Sequence, residues 1–119
     1  MVVELICVGT ELLLGNIVNT NAAYLSEKCA LLGLSMYHQS VVGDNAERLK
    51  ESLETALNRS DVVILSGGLG PTQDDLTKET VAEAFGDTLA FDEGEWQKII
   101  DFFARTNRRP TPNNRKQAM

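Results

Sequence analysis

The chain has 119 residues, of which 43% are hydrophobic and 24% charged, with a formal net charge of −6. A chain of this size buries about 65% of its unfolded surface, enough for one domain with a real core. No apolar run approaches the roughly 18 residues of a membrane span, and the acidic balance argues against a duplex nucleic-acid binder, which needs clustered Lys and Arg.

The charge is unevenly spread. Up to Ala104 there are 6 basic and 17 acidic residues, whereas from Arg105 onward Arg105, Arg108, Arg109, Arg115 and Lys116 stand without an acid. Such an end either meets an anionic small molecule or forms a solvated helix end. The opening MVVELICVG carries Glu4 and no basic leader, so it does not read as a signal peptide. Cys7 in an apolar run and Cys29 on an apolar helix face read as buried, reduced thiols. The expected location is the cytoplasm.

In chain order, VVELICV (2–8) is β-branched, apolar and stopped by Gly9, the pattern of a first strand. GTELLLGNIVNTN (9–21) reads as a loop whose exposed apolar residues suggest an interface. Asn21 is placed to cap a helix over 22–32, with Ala22, Leu25, Cys29 and Leu32 on one face and Gly33 as its left-handed terminator. LSMYHQSVV (34–42) reads as a second strand, ended by Gly43. Asp44 and Glu47 have capping-box spacing before a helix striped with Leu49, Leu53, Ala56 and Leu57. VVIL (62–65) has the pattern of a strand buried on both faces. TKETVAEAF (77–85) reads as a third helix stopped by Gly86, and residues 89–91 as a short extended piece. Asp92 and Glu95 repeat the capping-box spacing before a fourth helix with Trp96, Ile99, Ile100 and Phe103 on one face. PTPNNRKQAM (110–119) looks like a helix start with Pro112 in its first turn.

Strands alternating with helices predict a parallel sheet covered on both faces, with right-handed crossovers and strand one between strands two and three. Ligands bind such sheets at the carboxyl ends of the strands, where the winding reverses. That reversal gathers the loops 9–21 and 66–75, with Asp44 at the neighbouring strand end. Three strands leave the sheet edges open, so further structure is expected to complete them.

In SGGLGPTQDD (66–75), Gly67, Gly68 and Gly70 let the backbone turn and bring bare N–H groups toward a ligand, and the following helix adds its positive end. Both effects favour phosphate. Asp74 and Asp75 beside them either cap the helix or hold a divalent cation, Mg²⁺ or similar, that bridges to the phosphate. Glu11 and Asp44 reach the same rim, and four acids there suggest metal-assisted phosphoryl chemistry. The plain alternatives are a helix cap for Asp44 and a solvated loop acid for Glu11. His38, the only histidine, lacks partners at ligand spacing and reads as structural. Ser66 lacks a nucleophile elbow, and neither a Rossmann fingerprint nor a Walker loop is present.

Residues 9–21, 41–45, 66–77 and 113–119, in that order, resemble the amino-terminal domain of CinA-like competence/damage-inducible proteins, within the molybdopterin-binding (MoCF biosynthesis) family. The resemblance covers nearly the whole chain. That domain continues past NNRKQA, so residues 1–119 are expected to form one such domain, incomplete at its carboxyl end. The implied fold is α/β, a three-layer α/β/α sandwich with a mostly parallel sheet. The implied activity is metal-dependent hydrolysis of ADP-ribose or a similar nucleoside diphosphate sugar to AMP and ribose 5-phosphate. The alternatives are a non-catalytic pterin- or nucleotide-binding module and molybdopterin adenylyl transfer. Transferred onto this sequence, the family motifs assign Asp75, Asp44 and Glu11 to catalysis, and Asp74 and Asp75 to the metal. Gly9, Thr10, Ser66, Gly67, Gly68, Gly70, Pro71 and Thr72 would hold the diphosphate. Asn114, Arg115 and Lys116 would lie near the ligand's phosphate or ribose. Expected partners are a nucleotide-type small molecule and further copies of the chain.

Overall fold

Three strands and five α-helices alternate in the computed structural model, which describes residues 1–119. Strands β1 (Val2–Val8), β2 (Ser35–Val42) and β3 (Val62–Ser66) form one parallel sheet in the order β2-β1-β3. This is the expected winding. Val8 pairs with Val42 and Cys7 with Ser66, so the three carboxyl ends lie side by side.

Alternation along the strands divides the core into two faces. Ile6, Val8 and Val42 pack against Leu49, Leu53 and Ala56 of α3 (Ala46–Arg59), with Val81 and Ala84 of α4 (Thr77–Ala84) at the margin. Burial of Leu49 or Leu53 contributes about 1.5–3 kcal/mol each. On the other face α2 (Thr20–Leu31) lies over β1 and β2. There the Gln39 amide donates to Ser26 Oγ at 2.6 Å. Cys7 and Cys29 are both buried and free. The result is the α/β layering read from the strand–helix alternation.

One buried carboxylate interrupts this apolar interior. Glu4, in the central strand, is 1% exposed. Arg59 donates to it through two nitrogens at 2.9 and 2.8 Å, and Ser60 Oγ adds a third bond at 2.9 Å. The guanidinium hydrogen bonds outweigh the desolvation of the carboxyl and hold it below the ordinary glutamate range. The fork staples the end of α3 to the middle of the sheet.

Several local expectations shift. Residues Thr10–Leu13 form a single helical turn, α1, where a loop was expected. Helix α2 is capped by Asn19, not Asn21: Asn19 Oδ1 accepts from the Ala22 N–H at 3.2 Å. Leu32 follows the last turn of α2 and is 77% exposed, so it leaves the apolar face. Helix α3 is capped by Asn45, not Asp44, through a 3.0 Å bond from the Arg48 N–H. β3 is only half-buried, because it is an edge strand and no strand covers its outer side. Residues 89–91 form no strand. Helix α5 (Glu93–Arg105) starts as expected, with Asp92 accepting from the Glu95 N–H at 2.9 Å. None of its residues is fully buried; its apolar stripe rests partly on a 3₁₀ helix, Pro112–Ala118, that begins at Pro112. No helix is long and apolar enough to cross a membrane.

Candidate functional site

The strand ends are joined by short polar links. Gly9 extends the β1–β2 ladder by donating to Val42 O at 2.8 Å. The α1 turn then brings Thr10 to Asp44: the Asp44 N–H donates to Thr10 Oγ1 at 3.0 Å, and the Thr10 N–H reaches Asp44 Oδ2 at 3.5 Å. Asp44 therefore ties two strand-end loops together. The Glu11 carboxylate folds over Gly9, where a Cβ would lie 2.6 Å from its Oε1.

The glycine loop closes against protein on its inner side. Gly67 has φ 98° and Gly68 φ 68°; a Cβ at Gly67 would lie 2.2 Å from Val8 O, and one at Gly68 2.1 Å from Thr77 Oγ1. Buried Thr77 opens α4 and grips the loop, with its hydroxyl donating to Gly67 O at 2.8 Å and its N–H to Gly68 O at 3.2 Å. These two glycines are required by close approach to β1 and α4, a demand that the sequence pattern does not separate from ligand contact.

Asp75 faces its own loop. Its Oδ2 accepts from Thr72 Oγ1 at 2.7 Å and from the Thr72 N–H at 3.0 Å. The Thr72 hydroxyl, followed by the N–H groups of Thr72 and Gly70, holds its carboxyl below the ordinary aspartate range against the opposing cost of burial. Gly70 leaves room for this carboxylate, since a Cβ there would lie 2.7 Å from Asp75 Oδ2. Asp74 is exposed beside it. No three His, Cys, Asp or Glu side chains converge anywhere, so Glu11 and Asp44 do not join Asp74 and Asp75 in one ligand cluster. A divalent ion at Asp74 would draw most of its oxygen shell from a bound phosphate and water.

Two concavities flank the loop. A cavity of about 140 Å³ lies between the α1–α2 connection and the end of β3, lined by Cys7, Glu11, Asn19, Asn21, Ser66 and Gly67 among others. Asn21 Nδ2 spans it to Ser66 Oγ at 3.4 Å. An open cleft of about 450 Å³ on the far side is lined by Pro71, Thr72, Gln73, Glu79, Asn113 and Lys116. A cleft of about 530 Å³ lies away from both, over β2 and α3 beside the Glu4–Arg59 pair. Asn19, Asn21 and Cys7 were not among the candidate site residues. The topological signal was present, because the loop 9–21 and the end of β1 both reach the winding reversal.

Of the tail residues, Asn114 is buried, Lys116 half-buried and Arg115 exposed. Asn114 is buried and closes a capping box with Thr111, accepting from its N–H at 2.8 Å and its hydroxyl at 3.1 Å. The Arg115 guanidinium lies 4.3 Å from the Phe91 ring centre and 5.3 Å from that of Trp96. Lys116 Nζ donates to Thr72 O at 2.7 Å.

Comparison with known proteins gives the arrangement a lineage. The family described as "Probable molybdopterin binding domain" matches residues 4–115. A competence-damage inducible protein of Clostridium acetobutylicum is 55% identical over 118 residues, 99% of this chain but 29% of that protein. The chain thus spans less than a third of this relative's length. The crystal structure of the protein CinA from Thermoplasma acidophilum superposes with a TM-score of 0.82 at 34% identity, covering 98% of this chain and 68% of that one. The molybdopterin biosynthesis enzyme MoaB of Thermus thermophilus shares the fold, with a TM-score of 0.65 at 23% identity over 69% of this chain and 53% of its own.

These findings overturn the expected ADP-ribose hydrolase and its classification as a pyrophosphatase-type enzyme. The matched family is described by molybdopterin binding, which agrees instead with the alternative of a pterin- or nucleotide-binding domain. By sequence and by fold, the chain belongs to the molybdopterin-binding (MoCF biosynthesis) domain family, in its CinA-like branch.

Proposed function

We propose that this chain is a binding module for a phosphate-bearing pterin or nucleotide-type small molecule, seated at the carboxyl ends of β1 and β3. The observation that carries the reading is the 140 Å³ cavity at the winding reversal, where such sheets take their ligands. Its chemistry suits a fused heterocycle. The Glu11 carboxylate accepts the adjacent amino and ring N–H groups of a pterin edge, Asn19, Asn21 and Ser66 offer further donors and acceptors, and Leu12 and Ile17 supply apolar surface for the ring faces. The phosphate extends past the glycine loop toward Pro71, Thr72 and Gln73 in the neighbouring cleft.

A fluorescence titration with a pterin and its phosphorylated form tests this. Saturable binding is expected, and Glu11→Gln should weaken it roughly tenfold or more, the worth of one charged hydrogen bond. Absence of saturable binding, or equal affinity in the Glu11 variant, would refute the reading. A divalent cation enters the proposal as the phosphate's counter-ion, with Asp74 as its protein ligand. Chelation with EDTA should then weaken the phosphorylated pterin and leave the phosphate-free one unchanged. The proposal also includes self-association through Leu13 and Leu14, both exposed and outside that cavity. Leu14→Asp should lower the mass measured by light scattering, and an unchanged mass would refute this face as the contact.

A further inference from the structure

We infer that Lys116, although it lines the cleft beside Thr72, is a positioning residue that shapes the glycine loop through its carbonyls, and not a ligand of the bound anion. An ammonium group has three N–H donors. Lys116 Nζ meets Thr72 O at 2.7 Å, Asp75 O, and Glu79 Oε1 at 3.6 Å. Two loop carbonyls take two of the three donors, the Glu79 carboxylate lies within ion-pair range, and the side chain is only 21% exposed. In a Walker loop the lysine beside the glycines reaches the phosphate. Here a lysine 41 residues from Asp75 grips the loop's carbonyls instead, as a bound cation would.

The lysine is itself held in place. Lys78 Nζ, on α4, donates to Lys116 O at 2.8 Å. Asn114 fixes the start of the 3₁₀ helix, and Arg115 lies over Phe91 and Trp96. The Ala118 carbonyl accepts from the Asp92 N–H at 2.8 Å, joining the end of that helix to the start of α5. The ammonium thus sits on an anchored support.

Its reach extends to the cavity wall. In a planar trans peptide the N–H points opposite to the C=O. Drawing the Thr72 and Asp75 carbonyls toward Lys116 turns the N–H groups of Gln73 and Leu76 the other way. Fixing Asp75 also fixes the start of α4, where Thr77 holds Gly67 O and Gly68 O. Gly67 lines the 140 Å³ cavity. The path runs from Lys116 through Asp75 and Thr77 to Gly67, each step a hydrogen bond or a short stretch of chain. The geometry stands independently; its consequence for affinity rests on the binding reading above.

The test is Lys116→Met, which keeps the length of the side chain and removes its donors, with two readouts. Amide hydrogen exchange at Thr72, Asp75 and Thr77 should become at least tenfold faster, while Leu5 and Leu53 in the core keep their rates. Titration with a pterin and its phosphorylated form should show both losing affinity by a similar factor, since the wall they share is loosened. Unchanged exchange at the three loop amides, or an affinity loss confined to the phosphorylated pterin, would overturn the inference, the latter because it marks direct contact with the phosphate. If the wild-type chain binds neither compound, the binding reading fails and the exchange pattern still decides the role of Lys116. If Lys116→Met does not fold, Lys78→Met frees the lysine's support. It should accelerate exchange at the same three amides by a smaller factor, and no acceleration there would equally overturn the inference.

Discussion

A methyl group at position 67 would lie 2.2 Å from Val8 O, on a backbone whose φ of 98° an L side chain rarely adopts. Gly67→Ala should therefore cost about 1–3 kcal/mol from conformation alone, read as a lowered urea midpoint. An unchanged midpoint would mean that the loop does not need to touch β1. Two carboxyls carry the acid dependence. Glu4, beside the Arg59 fork, and Asp75, beside the Thr72 hydroxyl, are both held below their ordinary ranges. Their contribution is complete above the unfolded-state values of about 4 and is lost as pH falls through the lower folded-state values. Urea midpoints measured from pH 6 downward should fall, and Glu4→Gln should flatten that fall. At this scale the sequence was partly legible. The glycines and acids of residues 66–75 announced an unusual turn, but SGGLGPTQDD does not reveal whether a carboxylate looks outward to a cation or inward to Thr72. That depends on the hydroxyl geometry of a closed loop. The burial of Glu4 was hidden for a similar reason: its partner Arg59 stands 55 residues away.

Helix starts were legible in kind and shifted in position. Asp, Asn, Ser and Thr crowd the segments before α2 and α3, and several of them satisfy the capping pattern. Asp44 was displaced from the cap of α3 because it engages Thr10 across the strand ends, and Asn45 has the extended backbone that a cap requires. Asn45→Ala should cost about 1 kcal/mol in denaturant unfolding. Asp44→Ala should spare the helix, with the difference visible in amide exchange at Arg48. The single turn α1 was unreadable from GTELLLG, since four residues present no period to recognise. The stripe of α5 was plain at Trp96, Ile99, Ile100 and Phe103, yet periodicity alone does not tell what covers a face. Here the cover is partial and comes from the 3₁₀ helix.

For the whole molecule, the strand order β2-β1-β3 follows from strand–helix alternation and the handedness of crossovers alone. The depth of burial does not. VVIL reads as a doubly covered strand, but coverage is a property of neighbours, and β3 has β1 on one side only. The apolar core is correspondingly small and centres on α3 against β1 and β2. Leu53→Ala should remove about 2–5 kcal/mol, enough to unfold a marginal domain of this size, and a collapse of the cooperative thermal transition would register it. A ligand at a hundred times its dissociation constant should return about 2.7 kcal/mol and raise the melting temperature, whereas a compound that does not bind should leave it unchanged.

Cys7 sits where the core and the cavity meet. It is 2% exposed, stands one residue before the end of the central strand, and borders the cavity shared by Glu11 and Ser66. The molecule therefore carries a built-in occupancy gauge. An alkylating reagent should reach so buried a sulfur slowly, and an occupant of the neighbouring cavity should slow the modification of Cys7 further and leave Cys29 to react at its own pace.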